Sequence, residues 1–257
     1  MQRRQFLRAA CTALAAPALP AARPPARIAV LSYNIRHGQG MHGRIDLPRT
    51  AAVIRSASPD VVALQEVDVR TRRAGGVDQA SELARLTGMR AVFARAIDFE
   101  GGQYGNAVLA RLPITASAVH PLPGEEPRAL IEARLATAAG EFLFFATHLD
   151  VSRAETHRRA SAERINALVS AQDSAPAILA GDLNTVAGSE TMRALAALWR
   201  TAGGERERPT IPVANPQRQI DWILYRPAAR WREVEVRVLD EAAASDHRPI
   251  LAVLELA

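Results

Sequence analysis

The sequence predicts a single four-layer α/β sandwich, in which two packed, mostly antiparallel sheets are flanked by helices. Apolar runs of strand length dominate the chain, and helical segments occur singly between them. Short turns separate the central runs, which is typical of antiparallel pairing. The length of 257 residues fits one large α/β domain or two small ones, and we find no Ser/Gly-rich linker or internal repeat. A hydrophobic content of 48% is enough for a sizeable buried core.

Alternation, caps and turn residues define the elements in order. Ile28 and Val30 alternate along the first strand, Asp46 can cap the first helix, and Gly88 can end the second. The predicted strands span 27–35, 61–67, 90–95, 105–110, 114–120, 128–136, 141–149, 177–181, 219–225, 231–238 and 249–256. The predicted helices span 47–57, 78–87, 153–171 and 188–198.

Residues 1–26 are expected to be an export signal and linker, and residues 27–257 the folded domain. Arg3 and Arg4 begin an RRQFLR segment, an apolar run covers 9–19, and small residues follow. The segment resembles a twin-arginine export signal, although Gln2 stands where Ser or Thr is common. We therefore expect an exported protein, periplasmic or extracellular. An amphipathic first helix is the alternative.

Charge and cysteine content restrict the functional classes. The net charge is +5, but the chain has no lysine and all 32 basic residues are arginine, so codon bias explains the charge as well as polyanion binding does. Cys11 is the sole cysteine and lies in the expected signal, which excludes disulfides and thiolate-bound zinc from the mature domain. The sequence has no segment long and apolar enough for a stable membrane span.

Six apolar runs end in polar clusters that could converge on one site. They are SYNIRHG (32–38), ALQEVD (63–68), FATHLD (145–150), LAGDLNT (179–185), QIDWILY (219–225) and ASDHRPI (244–250). The residues delivered are Asn, Glu, Asp and His, which bind hard cations or phosphate.

Asp182 and Asn184 lie two residues apart at the end of a predicted buried strand, so in extended chain they point to one side. A carboxylate can orient and deprotonate a water, and an amide can hold the water's second hydrogen bond. An Asx turn is the structural alternative. Glu66 ends another buried strand, as either an oxygen ligand for a hard cation or a surface charge.

Asp221 lies within an apolar run and needs a partner, because the burial of an isolated carboxylate is costly. A histidine such as His247, which follows Asp246, could supply it, and an Asp that orients a His is typical of phosphate chemistry. An arginine is the alternative partner. His148, taken alone, is typical of a satisfied core histidine.

Taken together, these residues resemble the endonuclease/exonuclease/phosphatase superfamily. The motifs occur in the family order: Asn34, Gln65-Glu66, Tyr104-Gly105-Asn106, Thr147-His148, Gly181-Asp182-Leu183-Asn184, Ile220-Asp221 and Ser245-Asp246-His247. The superfamily includes pancreatic-type deoxyribonucleases, apurinic-site endonucleases, inositol-polyphosphate phosphatases and neutral sphingomyelinases.

The resemblance implies a Mg²⁺-dependent phosphoesterase (Mn²⁺ is the alternative metal) and a role for each matched residue. Glu66 is expected to be the principal metal ligand, with Asn34 beside it and Asp246 assisting. Asp182 would activate the attacking water and Asn184 would orient it. Asp221 would hold His247 on the phosphate, and His148 would stabilise the pentacoordinate phosphorus.

The substrate side of the expected site is formed by Tyr104 and Asn106 from the resemblance and by Arg72 and Arg73 from an Arg/Gly loop after Glu66. Solvated surface arginines are the alternative for that loop. We expect hydrolysis of phosphate esters, and of diesters rather than monoesters. A nuclease, a phospholipid or sugar-phosphate phosphodiesterase, and a non-catalytic binding module on the same fold remain open.

Overall fold

The computed structural model describes residues 24–172 and 174–257. The export signal predicted at the N-terminus, including Cys11, lies outside the described residues. Within those ranges, no helix has the length and hydropathy needed to span a membrane.

The domain contains two six-stranded sheets and four α-helices. The first sheet has the order β11-β12-β1-β2-β4-β3 and the second has the order β5-β6-β7-β8-β10-β9. The strands are β1 Ala26–Asn34, β2 Val61–Val69, β3 Arg90–Phe99, β4 Gly102–Ala110, β5 Ile114–Leu122, β6 Arg128–Thr137, β7 Gly140–His148, β8 Ala177–Asp182, β9 Arg200–Thr201, β10 Asp221–Arg226, β11 Trp231–Val238 and β12 Ile250–Leu256. The helices are α1 Leu47–Ala57, α2 Gln79–Thr87, α3 Thr156–Ser170 and α4 Glu190–Ala196.

Three apolar cores hold four layers together, as the sequence predicts. The inner faces of the two sheets share one core, which includes Val30, Val61, Ile131 and Phe144. The outer face of the first sheet packs on α1 and α2, and that of the second sheet packs on α3 and α4. Each sheet therefore buries both faces, which explains the continuous apolar runs of its central strands.

Most neighbouring strands pair antiparallel, but each sheet has one parallel pair at its centre. These pairs are β1 with β2 and β7 with β8. The carboxyl ends of a parallel pair meet at one edge, so β1 and β2 bring Asn34 next to Gln65, and β7 and β8 bring His148 next to Asp182. This edge is where the polar tails of the apolar runs converge.

Local signals explain the predicted helix ends. The Oδ1 atom of Asp46 accepts a hydrogen bond from the backbone N–H of Arg49 at 2.9 Å, which caps α1. Gly88 ends α2 with a left-handed φ of 68°.

The sequence underestimated the length of both strands of the β3–β4 hairpin and missed β9. Irregular pairing between Arg95 and Ile97 interrupts the alternation in β3, and β9 has two residues.

Candidate active site

The converging tails line a cleft with two adjoining halves that share Glu66, Tyr104 and Glu126. We call them the His247 half, of about 320 Å³, and the Asp246 half, of about 250 Å³. The His247 half is also lined by Arg128, His148, Val151, Asp182, Asn184 and His247. The Asp246 half is also lined by Arg36, His37, Arg73, Ile97, Phe99 and Asp246.

Glu66 reaches the cleft because β2 is irregular at its end. The register of β2 against β4 shifts between Leu64 and Val67, and Glu66 has a left-handed φ of 58°. A bulge of this kind re-aims a side chain, and a left-handed non-glycine residue is strained, as is common at functional sites. Burial raises the pKa of Glu66; a hydrogen bond from Asn34 opposes the shift, and the nearby carboxylates of Asp246 and Asp182 add to it.

The amide of Asn34 connects Glu66 and Asp182 across the two sheets. Its Nδ2 atom donates to Glu66 Oε1 at 3.0 Å and to Asp182 Oδ2 at 3.1 Å. Its Oδ1 atom accepts from the backbone N–H of Arg36 at 3.1 Å, and Ser245 Oγ donates to the Asn34 carbonyl at 2.7 Å. In this arrangement Asn34 orients the two carboxylates and points its donor end, not its Oδ1 atom, at Glu66.

Asp182 lies at the centre of a row of side chains along the edge of the second sheet. It is opposite His148 on β7 and opposite Asp221 on β10. Gly181 permits this close β7–β8 approach, because a Cβ there would lie 2.1 Å from the Thr147 carbonyl oxygen. Burial, and then the Asp221 carboxylate, raises the pKa of Asp182, which favours a role as proton acceptor.

His247 and Asp221 form the carboxylate–histidine pair that the sequence suggested. The two residues share a hydrogen bond of 2.9 Å between His247 Nδ1 and Asp221 Oδ2, and Thr210 Oγ1 donates to the same oxygen at 2.5 Å. The Nε2 atom of His247 lies 3.8 Å from Asp182 Oδ2. Burial by itself would lower the pKa of His247, but Asp221, Asp182 and Asp246 outweigh it and raise the pKa to about 10. The imidazolium is therefore available to a phosphate oxygen.

His148 is bound to Asn184. The Nδ2 atom of Asn184 donates to the Leu149 carbonyl at 3.0 Å, which fixes the amide orientation, and lies 3.0 Å from His148 Nε2. His148 Nε2 must accept this hydrogen bond, so the ring carries its proton on Nδ1. Burial lowers the pKa of His148 to about 4, partly opposed by Asp182. In this arrangement the neutral ring is held against Asn184; the resemblance implied that His148 stabilises the pentacoordinate phosphorus, and that role stays a prediction.

The remaining residues that the sequence suggested for substrate binding fall into three groups. Tyr104 and Arg73 line the cleft. Arg72 is exposed on the loop and does not line either half. Asn106 is buried below the cleft, where its Nδ2 donates to the Ala129 carbonyl at 2.9 Å and ties the two sheets together.

Sequence reasoning missed several residues that line the cleft, among them His37, Glu126 and Arg128. The polar SYNIRHG tail that carries Asn34 also carries His37. Glu126 lies in the loop before β6 and Arg128 is the first residue of β6, where the signal was a charged EEPR cluster at the start of a strand. Arg128 is buried, with Nη1 lying 3.3 Å from Glu126 Oε1 and Nε lacking a protein partner among the described residues.

Two groups of side chains could hold a cation. Asp182, Asp221 and His247 offer ligand atoms within 4.8 Å of one another. The raised pKa of His247 favours its protonated form, and Asp221 already accepts its hydrogen bond, so two of the three residues are committed to an ion pair. Glu66 and Asp246 instead offer carboxylate oxygens in the Asp246 half. Arg36 Nε lies 3.6 Å from Asp246 Oδ2.

Comparisons with known proteins agree with this fold. The uncharacterized protein YbhP of Escherichia coli is 26% identical over 245 residues, which cover 88% of this chain and 96% of YbhP. An endonuclease/exonuclease/phosphatase structure from Beutenbergia cavernae is 25% identical with a TM-score of 0.74, over 90% of this chain and 72% of that one. The human nocturnin catalytic domain shares the fold at 20% identity and a TM-score of 0.72, over 91% of this chain and 97% of that one.

A family model matches residues 31–247, a range that begins within β1 and ends at His247. It therefore spans Asn34, Glu66, the Asp182–Asn184 pair and the Asp221–His247 pair. The chain belongs to the endonuclease/exonuclease/phosphatase family.

Proposed function

We propose that this protein is an exported, Mg²⁺-dependent phosphodiesterase that hydrolyses phosphate esters by attack of water. Members of its family are hydrolases that act on phosphate esters. One observation carries the proposal to this chain. A single cleft brings together a candidate base, a candidate cation and a carboxylate for metal. These are Asp182 with Asn184 beside it, His247 held by Asp221, and Glu66. A non-catalytic module on the same fold would not need this set.

The chemistry of the Asp246 half fits a hard divalent cation. Glu66 and Asp246 supply oxygen ligands, and burial, with added repulsion from the Asp246 carboxylate, raises the pKa of Glu66. A bound Mg²⁺ would offset that repulsion and neutralise charge on the phosphate and on the leaving oxygen.

The protein's own side chains supply the remaining steps. A water held between Asp182 and Asn184 would lose a proton to Asp182 as its oxygen attacks phosphorus. The His247 imidazolium, held by Asp221, would donate a hydrogen bond from Nε2 to a nonbridging phosphate oxygen that gains negative charge in the transition state. The bond from phosphorus to the leaving alcohol then breaks, and the alcohol leaves with a proton from solvent. Arg128 lies beside this path and adds a second positive charge.

Metal removal tests the catalytic proposal. EDTA is expected to abolish phosphate ester hydrolysis, and Mg²⁺ to restore it, in a panel of mono- and diesters that includes DNA and RNA. Mg²⁺ is also expected to raise the Tm of the wild type but not of Glu66→Gln, since a ligand that binds the folded state stabilises it. Full activity in EDTA would contradict the metal requirement, and a Mg²⁺-dependent Tm shift in Glu66→Gln would contradict the ligand assignment.

The same substrate panel, measured at several salt concentrations, distinguishes a nuclease from a phosphodiesterase that acts on small diesters. A protein that binds a long nucleic acid displaces many counterions, so its KM rises steeply with salt. A small phosphodiester is expected to give a shallow salt dependence. Steep dependence together with preferred cleavage of DNA or RNA would favour the nuclease.

Export is a separate part of the proposal, supported by the RRQFLR segment and the apolar run that follows. Replacement of Arg3 and Arg4 by lysine is expected to retain the precursor in the cytoplasm, because it keeps the charge of the segment but removes both guanidinium groups of the twin-arginine pair. Fractionation and immunoblotting of a bacterial host measure this, with Arg8→Lys as the matched control. Normal export of the double variant would exclude the twin-arginine route.

A further inference from the structure

Asp68 and Arg73 form a bidentate ion pair beside the Asp246 half of the cleft. Arg73 Nε donates to Asp68 Oδ2 at 2.7 Å, and Arg73 Nη2 donates to Asp68 Oδ1 at 2.8 Å. The Asp68 side chain has 0% exposure and that of Arg73 has 29%. Thr71 Oγ1 also donates to Asp68 Oδ2 at 2.7 Å. The carboxylate is therefore completely committed to the loop that carries Arg73.

The guanidinium of Arg73 is also held by its other neighbours. Its Cζ lies 4.5 Å from the centroid of the Phe99 ring and 5.5 Å from that of Tyr104. The backbone N–H of Arg73 donates to Glu100 Oε2 at 2.9 Å, which ties the loop to the β3–β4 turn. Among the described residues, no protein acceptor pairs with Arg73 Nη1, and Arg73 lines the cleft. A fixed guanidinium thus presents a free edge to the Asp246 half.

A second arginine–carboxylate pair, on the surface of the protein, has the same bidentate geometry without burial of its carboxylate. Arg85 and Glu82 on α2 form the same bidentate contact, at 2.8 and 2.7 Å, with side-chain exposures of 68% and 32%. Surface pairs contribute little to stability, and buried pairs are costly to desolvate. A buried carboxylate that holds a partly exposed guanidinium at the cleft wall therefore points to a role in binding.

The direction of attack indicates which part of the substrate lies against the cleft wall formed by Arg73, Ile97 and Phe99. This step rests on the proposed function. In an in-line displacement the leaving oxygen lies opposite the attacking water. Asp182 and Asn184 hold that water in the His247 half, so the leaving alcohol extends into the Asp246 half. The pair of Asp68 and Arg73 is neutral overall, and it offers directed N–H groups beside the apolar surfaces of Ile97 and Phe99. Such a wall suits a carbon skeleton that carries hydroxyl groups.

We propose that Arg73 is a specificity-determining residue that binds a hydroxyl oxygen of a polyol leaving alcohol, of the glycerol or sugar type. Asp68 is its positioning residue. Asp68 does not touch the substrate, and it acts by fixing the plane of the guanidinium.

Two substrates that differ in the leaving alcohol test this assignment. Methyl glyceryl phosphate and methyl propyl phosphate have the same three-carbon skeleton. In each, ³¹P NMR shows which ester bond is cleaved, because loss of glycerol or propanol leaves methyl phosphate and loss of methanol leaves glyceryl or propyl phosphate. The wild type is expected to release glycerol, leaving methyl phosphate, with kcat/KM higher than for propanol release by roughly ten- to hundredfold, the worth of a hydrogen bond to a charged group. Arg73→Gln and Asp68→Asn are expected to reduce this preference to about twofold or less, mainly through a higher KM for the glyceryl ester.

Arg85→Gln is the matched control, and it is expected to keep the full preference. Arg73→Lys keeps the positive charge but lacks the planar fork of N–H donors, so it is also expected to lose the preference for the glyceryl ester. It provides a second test if Asp68→Asn fails to fold. A retained preference in folded Arg73→Gln and Arg73→Lys would overturn the assignment. Wild-type activity without preference for the glyceryl ester would overturn it and leave the proposed function intact. Absence of hydrolysis of any phosphate ester with Mg²⁺ would overturn both.

Discussion

His148 and His247 face the same carboxylate from two neighbouring regions of the cleft, with Nε2 atoms 3.6 and 3.8 Å from Asp182 Oδ2. Both are largely buried, yet the pKa of His148 is lowered to about 4 and that of His247 is raised to about 10. The difference lies in the second neighbour of each ring. Asp221 pairs with His247, whereas Arg128 and the positive His247 lie near His148.

This difference assigns separate roles to two chemically identical side chains. A protonated His247 can stabilise negative charge on a phosphate, and a neutral His148 can accept the hydrogen bond that fixes Asn184. Burial alone would have made both rings neutral. Each role is therefore set by a neighbour that lies far away in the sequence.

The largest expected effect concerns the charged histidine. His247→Ala is expected to lower kcat by roughly 10²- to 10⁴-fold, since it removes the cation from the transition state. Asp221→Asn should disable the same function, so the double variant is expected to be little worse than the worse single variant. Steady-state kinetics of the three variants measures this. Additive losses in log kcat would show that the two residues act separately.

The neutral histidine is expected to show a smaller effect with a different signature. His148→Leu removes the acceptor for Asn184 Nδ2 and should lower kcat by roughly ten- to hundredfold through misplacement of Asn184. His148→Gln keeps an acceptor and is expected to recover most of that loss, with KM little changed in both variants. Equal losses in the two variants would indicate a direct role for the imidazole on the phosphate.

The comparison is sharpened by stability measured against pH in EDTA. His247 has a folded pKa above the unfolded value of 6.5, so its contribution is complete below pH 6.5 and is lost as the pH rises toward 10. His148 has a folded pKa below 6.5, so the unfolded state binds the extra proton and stability falls as the pH drops from 6.5 toward 4.

The Tm is therefore expected to be highest near pH 6.5, with shifts of a few degrees on either side. His247→Gln should flatten the alkaline slope and His148→Gln should reduce the acidic slope. Thermal unfolding over this pH range measures both. Flattening of the same slope by both substitutions would contradict the opposite protonation of the two rings.

The sequence predicted the layers of the fold well, because hydrophobic patterning and caps are local. The run 61–64 is apolar throughout because both faces of the first sheet are covered, and Asp46 and Gly88 mark helix ends by backbone chemistry alone. The C-terminal end of β3 and the two-residue β9 were not predictable, since pairing across the sheet decides where they end or form.

The candidate residues were found because a strand end carries a polar tail whichever partner it meets. The sequence thereby named Asn34, Glu66, Asp182, Asn184 and the Asp221–His247 pair. It missed Glu126 and Arg128, which reach the cleft from the loop before β6 and from the first residue of β6, and their position depends on the packing of the two sheets. It also placed Asn106 on the substrate side, where the tertiary structure buries it between the sheets.

The sequence by itself determined the fold class, the family and the types of functional group, since each depends on residue identity and local pattern. The tertiary structure decided which histidine is charged, which end of the Asn34 amide meets Glu66, and which loop arginine is held at the cleft. Those properties depend on burial, hydrogen-bond direction and neighbouring charge. These properties are set by residues that lie far apart in the sequence; Asn34 and Asp182, for example, are 148 positions apart.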